Sequence, residues 1–436
     1  MGNNSIKAKD IMVFGFALFA MFFGAGNLIF PPYLGIVAGP QWLTGFIGFT
    51  LADAGLALLA VMATTKFNGD VNKMFERCGR KLGIMIGCAD ILCIGPLLAI
   101  PRTGATTYEM GISPVFGTSI PVFIFCIIFF VITYVLTVKP SKVIDIVGQF
   151  LTPALLITLA VIIVKGIVTP LGKVIDEPMI TGVFANGIGQ GYQTMDAFAA
   201  IALASVLIVS LNDKGYTSQA VKIKVILKSG IVACVGLALV YGGLCYLGAT
   251  VSSMNGVDAV QTQVIVSITQ GLLGSVGKTL LALAVALACL TTAIGLTSAT
   301  GQYFANLTNG KVSYEKVVLA VCVFSAVVSS LGVGMIIKLA SPILAIVYPP
   351  SIVLIVLAFF NEKIKNDNIY KGAVYMALLI SVLGVAEGFG VKVPFINSLP
   401  LHNVGFNWLV PVIVGGVVGK FIPCKNQKVG NLEKTA

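Results

Sequence analysis

The first long apolar run of the chain is interrupted near its middle by the stretch Met21-Phe22-Phe23-Gly24-Ala25-Gly26-Asn27-Leu28-Ile29-Phe30-Pro31-Pro32. Its glycines free the backbone, and its prolines lack the N–H that a helix donates to the carbonyl one turn earlier. Unpaired backbone groups survive at mid-membrane depth only where protein buries them or where water or a ligand occupies them. The stretch therefore predicts a helix that is broken at a functional point.

The composition is that of a membrane protein. Of the 436 residues, 57% are apolar and 10% are charged, whereas an ordinary soluble domain carries about 25% charged residues. The few charged side chains cannot cover a particle of 45.6 kDa, so apolar surface must face lipid. The net charge of +11 comes from basic residues scattered singly between apolar runs, which indicates membrane topology and no nucleic-acid partner.

A window of about 19 residues predicts an all-α polytopic fold with twelve transmembrane helices. Each is near the ~20 residues needed to cross the hydrocarbon layer. Their predicted bounds are 11–37, 42–65, 83–107, 119–138, 143–165, 183–210, 228–250, 277–304, 316–337, 339–360, 370–388 and 404–422. Only Lys338 separates the ninth span from the tenth.

The distribution of positive charge predicts the orientation. If the N-terminus is inside, the cytoplasmic segments carry 22 Lys and Arg residues and the opposite loops carry five. Cytoplasmic loops are enriched in these residues, so the tails 1–10 and 423–436 are both predicted to be cytoplasmic. The first apolar run lacks a small-residue cleavage site after it, so we expect it to be a retained span.

A second interruption lies in the sixth span, in the run Gly187-Ile188-Gly189-Gln190-Gly191-Tyr192-Gln193-Thr194-Met195-Asp196-Ala197. Spans one and six run in opposite directions, and matching interruptions in two halves of opposite topology indicate an inverted-repeat transporter. We expect repeats over 11–165 and 183–360, with two additional helices within 370–422, in a single transmembrane domain. The alternative for either run is a glycine-rich contact between helices.

The backbone groups exposed at the ends of the broken helices indicate which ligands would bind there. The half-helix that begins near Asn27 presents backbone N–H groups and the positive end of its dipole, which attract a carboxylate. Ala25, Gly26 and Asn27 are therefore candidate substrate ligands, and Thr194 is another at the second break. The half-helix before the first break ends in carbonyl groups, which suit a cation. These ends fit a zwitterionic amino acid and a coupled Na⁺.

The eighth span adds a stripe of small and polar residues on one helix face, formed by Ala288, Thr291, Thr292, Gly295, Thr297 and Ser298. Hydroxyl and carbonyl oxygens are the ligands that hard cations prefer. The stripe favours a cation site. The alternative is that these residues pack and hydrogen-bond back to their own helix.

Ionisable residues within spans are costly unless they are paired or hydrated. Asp196 follows the second break and is a candidate for binding the substrate ammonium or for proton relay, with a helix N-cap as the alternative. Arg102 could pair with Glu109 or Asp90, as a gate or as a strut.

A branched aliphatic substrate needs an apolar wall. The candidates lie close to the breaks, and for each of them plain core packing is the alternative. They are Leu97, Tyr192, Met195, Phe198 and Leu296.

Four stretches resemble the bacterial branched-chain amino acid:cation symporters. They are Phe22–Pro32, Gly95–Thr103, Gly191–Ala197 and Leu290–Leu296. The resemblance implies a leucine-transporter-like fold in the bacterial cytoplasmic membrane. It also implies uptake of leucine, isoleucine and valine driven by Na⁺ or H⁺.

The resemblance further implies a Na⁺ site. In that fold the ligands are two carbonyls, here those of Ala20 and Phe23, and an eighth-span set that Ala288, Thr291 and Thr292 match in spacing. Some proton-driven relatives carry a lysine within the fifth span. Here Lys142 and Lys165 lie only at its ends, which favours Na⁺ over H⁺.

Other classes of function fit the sequence less well. The one histidine, His402, lies in a predicted loop, and no Cys-x-x-Cys pair is present, so we expect no enzyme. A passive channel would need rings of charge or repeated filter loops, which are not visible. An H⁺-coupled transporter of another small apolar amino acid is the alternative. The expected partners are the substrate and the bilayer, and no obligatory protein partner is inferred.

Overall fold

The computed structural model describes residues 6–117, 119–138 and 156–423. Within these ranges the secondary structure is helical and contains no β-strand. This confirms the all-α prediction. The start of the predicted span 143–165, Lys142, residues 1–5 of one tail and residues 424–436 of the other lie outside the described residues.

The first half of the chain contains ten described helices. Their bounds are α1 Ala8–Phe22, α2 Ala25–Ala38, α3 Trp42–Thr50, α4 Leu56–Thr65, α5 Val71–Phe75, α6 Arg80–Leu92, α7 Ala99–Thr106, α8 Ser113–Phe116, α9 Val122–Val138 and α10 Leu156–Val168. Of these, α3, α5, α7 and α8 are shorter than ten residues. Three π-helical turns, Leu51–Gly55, Cys93–Leu97 and Thr107–Ile112, join α3 to α4, α6 to α7 and α7 to α8.

The second half contains the longest helices. Their bounds are α11 Val183–Thr194, α12 Asp196–Asp213, α13 Gln219–Thr250, α14 Gln261–Leu307, α15 Tyr314–Ser329, α16 Val333–Ala358, α17 Asp367–Gly388, α18 Pro394–Asn397 and α19 Leu409–Phe421. The helix α14 begins earlier than predicted and bends at Gly274, whose φ of +65° is in the region that glycine adopts most readily.

One predicted boundary is wrong. Lys338 lies inside α16 and does not separate two spans. The chain instead leaves its helix at residues 330–332, between α15 and α16, where Gly332 has a φ of +83°. A lysine within an apolar run suggested a loop, but its side chain does not interrupt backbone hydrogen bonding, whereas a left-handed residue does.

Several helices expose apolar side chains as a lipid-facing surface requires. Along α9, Phe123, Ile127, Val131 and Val135 recur every four residues and are 41–55% exposed. Seven helices or joined helices are long and apolar enough to cross a membrane, and three shorter apolar helices accompany them. In the described part of the chain, these helices account for the excess of apolar residues in the composition.

The helices cluster into two compact units. The first comprises Met1–Leu58, Ile91–Leu203 and Lys224–Ser341. The second comprises Leu59–Asp90, Ala204–Ile223 and Pro342–Ala436. Both predicted helix breaks lie in the first unit.

Candidate functional site

The first predicted break is present and involves two residues. The helix α1 ends at Phe22 and α2 begins at Ala25, while Phe23 and Gly24 have extended backbone. The Gly24 N–H donates to the side-chain oxygen of Asn27 at 2.9 Å, which caps the start of α2. The prolines of the quoted stretch lie inside α2, so Phe23 and Gly24 alone form the interruption.

The second predicted break is also present, but the glycines do not form it. Gly187 and Gly191 lie inside α11, which ends at Thr194. The single residue between α11 and α12 is Met195, whose φ of +66° is left-handed. For a residue with a Cβ this conformation costs about 1–2 kcal/mol, so the surrounding structure must hold it in place.

Two of the three glycines of α11, Gly187 and Gly191, serve close helix packing, which was the alternative interpretation of this run. A Cβ atom on Gly187 would lie 2.2 Å from the carbonyl oxygen of Gly45 on α3. A Cβ on Gly191 would lie 2.8 Å from the carbonyl oxygen of Phe49. Small residues allow such backbone approach between membrane helices, and here they fix α11 against α3.

Asn27 links the two breaks through its side-chain amide. Its Nδ2 donates to Asp196 Oδ2 at 2.8 Å, to Tyr241 Oη at 2.5 Å and to Asp53 Oδ2 at 3.3 Å. All four residues are at most 5% exposed. An amide carries two N–H hydrogens, so the three acceptors share them, and the cluster depends on this one donor group.

A π-helical turn brings Asp53 into the cluster. The turn Leu51–Gly55 lies between α3 and α4, and π-helical turns of this kind are frequent at functional sites. Asp53 Oδ1 accepts a hydrogen bond from Thr194 Oγ1 at 2.7 Å. Asp53 and Asp196 lie close together, because a carboxylate oxygen of each accepts from the same Asn27 Nδ2. Two buried carboxyl groups therefore stand beside the second break.

Asp196 does not cap its own helix. It is the first residue of α12, where a carboxylate is favoured by the positive end of the helix dipole. Within the described residues, its side chain accepts from Asn27 and not from an α12 N–H group. The predicted N-cap role is therefore not formed, and the carboxylate faces the first break instead.

Arg102 holds the end of α11. Its side chain is buried, with Nη1 donating to the carbonyl of Gln193 at 2.5 Å and Nη2 donating to that of Thr194 at 3.1 Å. The expected pair with Glu109 is not formed, since that carboxylate accepts from Thr262 and from the Val333 N–H.

The other expected partner of Arg102, Asp90, accepts from Ser351 Oγ at 2.9 Å and 3.1 Å. Each of the three ionisable side chains named for this role thus has polar contacts that the sequence did not indicate. Of these contacts, only the hydrogen bonds from Arg102 to the carbonyl groups of Gln193 and Thr194 lie at a helix break.

A small cavity of about 30 Å³ lies where the breaks meet. Its lining residues come from α1, α2, α7, α11, α12, α14 and the segments that join them: Met21, Gly24, Ala25, Gly26, Ile94, Ala99, Arg102, Thr103, Thr194, Met195, Asp196, Ala199, Thr292 and Leu296. This volume holds about two water molecules. The structure is therefore closed around the site, and a branched side chain would require it to expand.

The cavity brings together six of the ten predicted substrate residues, which are Ala25, Gly26, Thr194, Met195, Asp196 and Leu296. Asn27 lies directly behind it in the polar cluster. Among the described residues that line the cavity, Leu97, Tyr192 and Phe198 do not occur. Phe198 is buried, and Leu97 and Tyr192 are half-buried.

The predicted cation ligands are brought together only partly. Thr292 lines the cavity, and its methyl carbon lies 3.9 Å from the position of a Cβ on Gly24. Thr291 donates to the Ala288 carbonyl of its own helix at 2.9 Å, as the packing alternative expected. Phe23 is buried at the break, whereas Ala20 is exposed. Lys165, at the end of α10, is exposed.

Sequence reasoning missed Tyr241 and gave Asp53 no role. Asp53 carried a usable signal, because a carboxylate within an apolar span is costly and therefore functional by default. Tyr241 carried none, since it lies among small and apolar residues of α13. Its hydroxyl reaches the cluster only through the packing of α13 against α2.

Comparison with known families gives a match over almost the whole chain. The family model described as "Branched-chain amino acid transport protein" matches residues 7–426. The branched-chain amino acid permease BraB of Bacillus subtilis is 39% identical over 433 residues, covering 95% of this chain and 96% of the relative. The permease BrnQ of Escherichia coli K12 is 34% identical, covering 94% and 95%.

Solved structures support the same fold at low sequence identity. Mhp1, a nucleobase-cation-symport-1 family transporter in a closed conformation, gives a TM-score of 0.64 at 12% identity and covers 94% of this chain and 91% of its own. A Na⁺-coupled sialic acid symporter gives 0.51 at 11% identity and covers 96% of each chain. These likenesses confirm the leucine-transporter-like fold with two broken helices.

Proposed function

Because this chain belongs to the branched-chain amino acid transport protein family, we propose that it is a Na⁺-coupled symporter that takes up leucine, isoleucine and valine. It is a multi-pass membrane transporter and not an enzyme. The observation that carries the proposal is the cavity at the two helix breaks, which is lined by the N-terminus of α2 and by the buried carboxylate of Asp196.

The two charged ends of an amino acid have matching partners in this cavity. The N–H groups of Ala25 and Gly26 open α2, where no carbonyl of the same helix precedes them, and such groups bind a carboxylate. The carboxylate of Asp196, at the start of α12, lines the same cavity and would bind the ammonium. A zwitterion thus fits with its carboxylate toward the first break and its ammonium toward the second.

The aliphatic side chain would lie against the apolar part of the lining. Ile94, Met195 and Leu296 contribute to it, and an apolar wall with few polar groups selects branched side chains. Since the cavity is small, leucine enters only when the surrounding helices separate. We therefore place Leu97, Tyr192 and Phe198 in the wall of the expanded pocket.

The coupled Na⁺ would bind beside the first break. The carbonyl groups of Ala20 and Phe23 and the oxygens of Ala288, Thr291 and Thr292 form the proposed ligand set. Its support in the structure is the position of Thr292 next to Gly24. Oxygen ligands of this kind suit Na⁺, a hard cation.

Transport would proceed by alternating access, in which two repeats move about a site near the midplane. We propose repeats over 11–165 and 183–360 within one transmembrane domain, and helices over 370–422 outside the repeat. The excess of Lys and Arg in alternate loops supports cytoplasmic termini.

Uptake into proteoliposomes tests this proposal. The purified protein should accumulate labelled leucine above the outside concentration when an inward Na⁺ gradient is imposed, and isoleucine and valine should compete. Accumulation driven by a proton gradient alone would assign the coupling to H⁺. Equilibration of leucine without any gradient dependence would indicate a passive pathway and contradict symport.

Replacing Thr292 with alanine should weaken the dependence on Na⁺. Loss of one hydroxyl ligand is expected to raise the Na⁺ concentration for half-maximal uptake about tenfold, which corresponds to about 1.4 kcal/mol of binding free energy. Thr279→Ala is the matched control, because Thr279 lies exposed on the same helix. An unchanged Na⁺ response in Thr292→Ala, with normal protein level, would remove Thr292 from the cation site.

A further inference from the structure

Arg102 places a buried positive charge at the C-terminal end of α11. Its two bonds reach the last carbonyl groups of that helix, those of Gln193 and Thr194. These carbonyls form the negative end of the helix dipole. In transporters with broken helices, such half-helix ends bind the coupled cation. Here a guanidinium of the chain itself occupies that place.

The same guanidinium lies beside the opposite kind of helix end. A Cβ on Gly26, in the first turn of α2, would be 3.1 Å from Arg102 Nη2. The guanidinium also lies over the Phe30 ring at 5.5 Å, which adds a cation–π contact. Arg102 is thus held between the C-terminus of one half-helix and the N-terminus of the other.

Both helix ends and Arg102 face the cavity where we place the substrate. The α2 N-terminus and the guanidinium are both positive, and the guanidinium lies beside Gly26 in the first turn of α2. Asp196 is the acidic residue of the lining. A carboxylate in the cavity near Gly26 would therefore meet two positive partners.

We propose that Arg102 is a substrate-binding residue that recognises the α-carboxylate of the amino acid together with the N-terminus of α2. This rests on the proposed function of the site. A guanidinium has five N–H donors in a planar fork, so one edge holds the α11 carbonyls while another binds a carboxylate.

A structural strut is the competing explanation, because the bonds to Gln193 and Thr194 alone would stabilise the end of α11. The two roles differ in which ligands they affect. A strut supports binding of every ligand of the pocket equally. A carboxylate partner matters only for ligands that carry a carboxylate, and leucinol has the ammonium and the side chain of leucine without that group.

Equilibrium binding of leucine and leucinol to the purified full-length protein separates these roles. For Arg102→Ala we expect leucine affinity to fall by about 100-fold, as for truncation of one partner in a buried charge pair. Leucinol affinity should change by less than about threefold. Arg80→Ala, at an exposed position, is the matched control and should bind both ligands as the wild type does.

Arg102→Lys is a second variant that keeps the inference testable if Arg102→Ala does not fold. Lysine keeps the charge but not the fork, so we expect a smaller loss of leucine affinity, again with little change for leucinol. Equal losses for leucine and leucinol in both variants, or unchanged leucine affinity, would overturn the inference. A wild-type protein that binds no leucine would contradict the proposed function itself and the inference with it.

Discussion

Replacing Asn27 with aspartate is expected to reduce leucine uptake by at least about 100-fold. The Nδ2 group of Asn27 donates to Asp53, Asp196 and Tyr241. Aspartate removes this donor and adds a third carboxyl group to two that already lie together. Leaving a buried acceptor without its hydrogen-bond donor costs about 1–3 kcal/mol, and more where the acceptor is charged. Both breaks should lose their alignment, and the melting temperature of the protein should fall with the uptake rate.

Initial rates of labelled leucine uptake and thermal unfolding in detergent measure this prediction. Asn309→Asp is the matched control, because Asn309 is exposed in a loop after α14, and it should leave both quantities unchanged. Uptake by Asn27→Asp within about threefold of the wild-type rate would show that the amide does not hold the site together.

The parts of the structure that depend on local chemistry could be predicted from sequence. The run around Gly24 is a poor continuous helix, because its glycines leave the backbone conformationally free, and the first break was located correctly there. The second break was placed within the correct run but attributed to the wrong residues. Gly187 and Gly191 remain helical, while Met195 takes the left-handed conformation. A methionine has no local preference for that conformation, so only tertiary contacts could reveal it.

The polar cluster depends on contacts between distant segments, which sequence patterns do not report. Asp53 and Thr194 are 141 positions apart, and Asn27 and Tyr241 are 214 positions apart. Arg102 was recognised as a costly charge, but its partners are backbone carbonyl groups. Every residue has a carbonyl, so no side-chain pattern could single these out. The interrupted helices predicted where a binding site would form, and tertiary packing determined which side chains line it.

Gly35→Ala is expected to prevent α2 from packing against α13. A Cβ on Gly35 would lie 1.9 Å from the carbonyl oxygen of Cys245, and a Cβ on Gly248 would lie 1.9 Å from that of Pro32. Both clashes are with backbone, which no change of rotamer relieves. Overpacking of a filled interior typically costs 1–3 kcal/mol and sometimes more, and we expect about 3 kcal/mol or more here.

The effect of Gly35→Ala should extend to transport, because α2 carries Asn27 and α13 carries Tyr241. Alanine is the better helix former by about 1 kcal/mol, so a loss of stability would be due to the contact and not to helix propensity. Gly334→Ala on α16 is the matched control, since nothing lies within 4 Å of its Cβ position, and it should melt at or slightly above the wild-type temperature. A Gly35→Ala protein with wild-type melting temperature and uptake would mean that α2 and α13 can separate without cost, in which case this contact does not position Tyr241 against Asn27.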